Sequence, residues 1–237
     1  KQALSVHLKA IRRMLIVSVA SVAVLFVLFF YLLCGPLVDF VLAPVRARGI
    51  EVITTSVSEA LMMQFKVCLI AAVIAGMPVI IWQVWVFVAP ALYPQEKRLF
   101  AALFFVALLL FVGGVVFCYC LVFPMAIDLF WSAADGVAST LWSVKEYFNF
   151  VLSFVLPFGL MFELPVVVYM LARRGLVTYQ KLAHSRKYVI LVIAIIAAIL
   201  TPPDAVSQCM LAIPMILLYE VAAQLARLVK PKKPAEA

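Results

Sequence analysis

Charge is what this sequence has least of. Only 13% of its 237 residues are Asp, Glu, Lys or Arg, about half the share found in soluble domains. Acids are the scarcer sign, 11 against 19 basic residues, and there are just two histidines, His7 and His184, in separate basic segments. The chain holds no H-E-x-x-H, no G-x-S-x-G and no pair of acids at useful spacing within an apolar run. The residue sets of hydrolytic or metal-assisted catalysis are therefore missing, and neither an enzyme nor a cofactor is expected. The cysteines (Cys34, Cys68, Cys118, Cys120 and Cys209) form no C-x-x-C and lie mostly in apolar runs. They read as small core hydrophobes, without a metal site or an obligatory disulfide. No internal repeat appears, and the proline-interrupted segments do not pair between two halves as they do in many secondary transporters.

What is present is apolar surface. At 68% hydrophobic the chain far exceeds the composition of soluble proteins, and its length fits one bundle of about five to seven helices of roughly 20 residues each. The expected fold is an all-α integral membrane protein, a single transmembrane domain over 1–237. Six spans are expected, near 14–33, 60–88, 99–122, 147–172, 188–200 and 206–226, followed by a tail at 227–237. The first begins directly after Lys9, Arg12 and Arg13, in an uncharged run from Met14 to Val38. A cleaved signal peptide competes for any such start, but this run is longer than a usual h-region and no A-x-A-like site follows it.

Gly35-Pro36 and Ala43-Pro44 punctuate a connecting loop to about Ser58, with Phe40, Val41, Leu42 and Val45 forming a short amphipathic piece. Span three is expected to end at Pro124. Span four is interrupted by Pro157 and by Glu163-Leu164-Pro165. Span five has only 13 apolar residues, Tyr188 to Leu200, before Thr201-Pro202-Pro203-Asp204. About 20 Å of helix is shorter than the hydrocarbon layer, so spans five and six are expected to be short. Of the 19 basic residues, all but Arg46, Arg48, Lys66 and Lys145 fall at the N-terminus, in the second-to-third and fourth-to-fifth connections, or in the tail. The positive-inside rule then places both termini in the cytoplasm, and the net charge of +8 reports topology rather than a nucleic-acid partner.

The scarce polar groups near the membrane carry the functional expectations. Between Trp82 and Arg98 the chain leaves one apolar run at Pro90, turns through Pro94 and enters the next behind Glu96-Lys97-Arg98. Gln83 and Phe87 lie four residues apart on one helix face. Glu96 suits a helix first turn, but apart from Glu236 in the tail it is also the only acid on a basic inner surface. A carboxylate there, beside an aromatic such as Phe87, matches a guanidinium ligand. Glu163 lies too deep for its side chain to reach the headgroups. It is read as a docking point for another membrane helix, against the plainer role of tying two helices of this chain together. Gln208 and Glu220 are read in the same way, the plainer role being favoured for Glu220 near the inner surface. Lys66 is expected to anchor at the outer surface or to pair with Glu59, seven residues before it.

In this order the segments resemble the TatC family, the core subunit of the twin-arginine protein translocase. The matching pieces are His7-Leu8 to Arg12, Ala43-Pro44, Ser58-Glu59 to Lys66, Trp82 to Arg98, Gly113 to Phe117 with Phe123-Pro124, and Phe162-Glu163-Leu164-Pro165. They continue with Arg186-Lys187-Tyr188, Thr201-Pro202-Pro203-Asp204 with Ser207-Gln208, and Ile213-Pro214 to Tyr219-Glu220. The resemblance implies a receptor in the bacterial cytoplasmic membrane that binds twin-arginine signal peptides of folded proteins. It implies work with the single-span subunits TatA and TatB, self-association, and energy from the proton-motive force. Signal binding would fall on Phe87 and Glu96 with Arg98 and the N-terminal segment around Arg12, and partner-helix docking on Glu163 and Gln208. Pro44, Glu59, Lys66, Gln83, Asp204 and Glu220 would be structural or partner-related. One departure stands out: the family's usual His-Leu-x-Glu-Leu-Arg start has Ala10 here where the Glu belongs. Either Glu96 binds alone, or signal binding is weakened. The rival readings are a small-solute or ion transporter built on Glu163, and a scaffold that binds no signal.

Overall fold

A computed structural model describes residues 2–88, 97–134, 142–201 and 204–229. Its helices are α1 (Gln2–Leu32), α2 (Cys34–Arg46), α3 (Val57–Val88), α4 (Lys97–Phe117), α5 (Phe123–Ala134), α6 (Val144–Phe162), α7 (Leu164–Arg173), α8 (Tyr179–Leu200) and α9 (Ala205–Leu228). Among the described residues six stretches are long and apolar enough to cross a membrane: Lys9–Leu32, Val57–Val86, Ala101–Ser132, Val144–Arg173, Tyr179–Leu200 and Ala205–Leu228. The six expected spans are thus present as helices, each of which satisfies its backbone groups within its own segment inside hydrocarbon.

The chain groups into two compact units, one from the N-terminus to Leu108 together with Leu129–Leu152, the other Leu109–Asp128 together with the chain from Ser153. In the first, α1 lies along α3. Gly76 lets them approach: a Cβ there would stand 3.2 Å from Val22 Cγ2. Phe26, Phe30 and Phe65 stack along the same seam, Phe30 and Phe65 with centroids 4.7 Å apart. Two short strands, β1 (Val52–Ile53) and β2 (Trp142–Ser143), pair in parallel with Val52 opposite Trp142. The Tyr147 hydroxyl donates to the Val41 carbonyl at 2.7 Å, tying α6 to α2.

Helix α2 replaces most of the loop expected after Gly35-Pro36. Pro36 stands in its first turn, where the missing N–H would have had no intrahelical partner. Nor does the third span stop at Pro124. Cys118–Val122 form a π turn in which the Phe123 N–H reaches back to the Cys118 carbonyl, and α5 carries on to Ala134. The widened turn accommodates a proline that cannot donate.

In the second unit Gly159 packs so tightly that a Cβ would lie 2.5 Å from the Phe111 ring, and one at Gly114 would lie 2.8 Å from the Phe158 carbonyl. The break at Glu163-Leu164-Pro165 is as the sequence implies: α6 ends at Phe162 and α7 starts at Leu164, with Pro165 in its first turn. Pro157, in contrast, stays inside α6. Helix α8 is longer than its apolar run because Lys181, His184, Arg186 and Lys187 continue the helix, and the Thr178 hydroxyl accepts from the Lys181 N–H at its start. Val168 and Ala172 of α7 bury against Ala222 and Ala226 of α9, with Leu182 of α8 alongside. Small side chains allow these backbones to come close.

Candidate functional site

In the first unit, Phe87 falls in the last turn of α3 and Arg98 in the first turn of α4, each placed by its backbone. Glu96 lies outside the described residues. Arg12 is exposed on α1, and Gln83 is half-buried on α3. Five residues before Phe87, Trp82 meets Phe104 of α4 edge-on at 5.4 Å, while Trp85 is buried. The Trp82–Phe104 contact joins α3 to α4.

Glu163 occupies the break between α6 and α7. Its backbone N–H bonds the Leu160 carbonyl at 3.1 Å, and its own carbonyl accepts from Val166 and Val167. The side chain is different: Oε1 is buried and has no hydrogen-bond partner among the described residues. An acceptor left so is costly inside a protein, and more so in hydrocarbon. Gln208 on α9 is half-buried, and its amide donates to the Ala194 carbonyl of α8 at 3.1 Å.

Glu220 on α9 is fully engaged. Arg186 of α8 grips it bidentately, Nε to Oε2 at 2.9 Å and a terminal nitrogen to Oε1 at 2.6 Å. Gln224 donates to the same Oε1 at 2.9 Å. The Arg186 guanidinium also reaches the Tyr179 hydroxyl at 3.3 Å, Arg227 stacks over the Tyr179 ring, and the Tyr219 hydroxyl donates to the Leu182 carbonyl. Sequence reasoning found Glu220 but missed Arg186 as its partner. The two are 34 residues apart, and the only hint was their matching polar positions near one end of neighbouring spans.

The remaining positions cap and pin. Glu59 accepts from the Thr55 backbone N–H at 2.8 Å and from the Thr55 hydroxyl, tying the chain before α3 to the helix's first turn. Of the two expectations for Lys66, an outer-surface anchor or a pair with Glu59, the pairing is not seen. The Lys66 ammonium donates to Asn149 of α6 at 2.7 Å, because the glutamate is already committed to its own helix start. Asp204 caps α9 by accepting from the Ser207 N–H at 2.6 Å. The Pro44 carbonyl accepts from Arg48 at 2.9 Å.

Residues 6–214 match the family described as Sec-independent protein translocase protein (TatC). A relative of that name from Carboxydothermus hydrogenoformans is 38% identical over 228 residues, 96% of this chain and 93% of its own. Another from Haemophilus influenzae is 36% identical, covering 98% of this chain and 91% of its own. A crystal structure described as the twin arginine translocase receptor TatC superposes with a TM-score of 0.88 at 36% identity, covering 94% of this chain and 98% of that one. The order of segments along the sequence, the six apolar helices and these likenesses agree, and the chain is a member of the TatC family of Sec-independent protein translocase proteins.

Proposed function

We propose that this chain is the receptor subunit of a twin-arginine translocase, and that it binds the signal peptides of folded cargo rather than catalysing a reaction. The observation that carries this reading is the likeness, at 36% identity over 94% of the chain, to a structure described as that receptor. The signal would be held where α3 and α4 face the loop between them, by Phe87, Glu96 and Arg98 with Arg12 of α1. Glu96 supplies the carboxylate that pairs with guanidinium. The basic connections support a cytoplasmic placement of this surface and of both termini. Only the apolar part of α8, Tyr188 to Leu200, would sit in hydrocarbon, so the bilayer would be locally thin beside it.

Partner helices from the single-span subunits TatA and TatB would dock beside Glu163 and Gln208, and further copies of this chain would complete the assembly. The unpartnered, buried Oε1 of Glu163 supports that role, since a donor brought by a second helix would satisfy it. Export would draw on the proton-motive force.

The test is photocrosslinking of a twin-arginine signal peptide to membranes holding the native, Glu96→Ala or Ala10→Glu chain. Adducts near Phe87 are expected, lost with Glu96→Ala and strengthened by Ala10→Glu. No adduct with either the native or the Ala10→Glu form would overturn the receptor reading.

A further inference from the structure

The N-terminal parts of α3 and α6 line an open cavity of about 260 Å³ that signal and partner binding leave unused. Ser58, Lys66, Lys145 and Asn149 bring donors to it. Both helices begin there, α3 at Val57 and α6 at Val144, so both offer the positive end of the helix dipole. The acid on the wall, Glu59, has its two oxygens held by the Thr55 N–H and hydroxyl but keeps its negative charge near Lys145, so two lysines against one carboxylate leave the wall net positive by one. Asn149 takes one of the three Lys66 ammonium hydrogens and fixes that group at the cavity, leaving the other two free to donate.

The rest of the lining is apolar. Phe148 is buried at its base, and Met62 continues onto an outward face of α3 where Leu61 and Phe65 are also exposed. From Val57 to Lys66 the helix advances about 14 Å, so the cavity runs from the start of α3 onto the flank of an apolar span. A cationic cavity that opens onto an apolar helix face suits an anion carrying acyl chains better than a soluble one.

We infer that this cavity binds an anionic phospholipid, its phosphate between Lys66 and Lys145 and an acyl chain along Met62 and Phe65. The site is independent of signal recognition. It would fix the starts of α3 and α6 to each other through a molecule of the surrounding membrane.

The test is native mass spectrometry of the full chain purified in detergent, titrated with phosphatidylglycerol, phosphatidylcholine or inorganic phosphate. Phosphatidylglycerol is expected to be retained about tenfold better than phosphatidylcholine, and Lys66→Gln with Lys145→Gln to abolish the difference. Changing two cations elsewhere, Arg46→Gln with Lys187→Gln, should leave it intact. Lys145→Gln alone keeps the Lys66–Asn149 bond and should cost about fivefold, so the test survives a double variant that fails to fold. Equal retention of the two lipids, an unchanged Lys145→Gln chain, or an equal loss in the distant pair would overturn the proposal. So would displacement of the lipid by inorganic phosphate, which would leave a small-anion site only.

Discussion

Two glutamates in one compact unit meet opposite surroundings. Glu220, on α9, receives two hydrogen bonds from Arg186 and one from Gln224. Glu163, at the break between α6 and α7, keeps a buried oxygen with no partner among the described residues. A satisfied carboxylate holds its own structure together, here by joining α8 to α9. An unsatisfied one costs stability, and a donor arriving from outside would remove that cost. Where each glutamate sits fits this difference: Glu220 stands next to the basic first turns of α8, while Glu163 stands where a proline has already opened the helix.

The largest effect is expected from Glu163→Ala. Crosslinking to a single-span partner subunit and export of a folded twin-arginine reporter are expected to fall by about tenfold, near the upper end of what one interhelical polar contact supplies. The thermal midpoint of the purified chain should hold or rise, since an unpaired acceptor is gone. A lower midpoint with unchanged crosslinking would make Glu163 a structural residue like Glu220. The converse test takes Arg186→Ala, Glu220→Ala and the double variant. Each single change should lower the midpoint, and the double should lower it little further, because either one already breaks the same pair. Export should stay within about threefold of native, as expected for a half-exposed ion pair.

How much of this was readable in the sequence depends on the range of the interaction. The spans were legible because long uncharged runs have few other fates, and the break at Glu163 was legible because Pro165 cannot donate an N–H. Two other prolines misled. Pro36 signalled a loop but stands in the first turn of α2, and Pro124 signalled an end but follows a π turn that accommodates it. Pairings across the fold were not readable: Lys66 finds Asn149, 83 residues away, rather than the nearer Glu59. Helical spacing says which residues share a face, not which helix that face meets. Phe87, Glu96 and Arg98 rest on loop composition and on family resemblance.

The smallest expected effect falls on Gln208, which stands between the two glutamates in kind. Its amide already bonds the Ala194 carbonyl of α8, so part of its hydrogen-bonding capacity serves this chain in the manner of Glu220. That bond joins neighbouring spans inside the apolar layer, where such contacts average about 0.6 kcal/mol. If Gln208 only links α8 to α9, Gln208→Ala should lower the thermal midpoint slightly and leave partner crosslinking unchanged. If it also receives a partner helix, crosslinking should fall by about threefold, and the Glu163→Ala, Gln208→Ala double variant should lose less than the two single losses combined. A double variant whose losses add would separate the two positions into independent contacts, and the partner surface would then be wider than one docking point at the α6–α7 break.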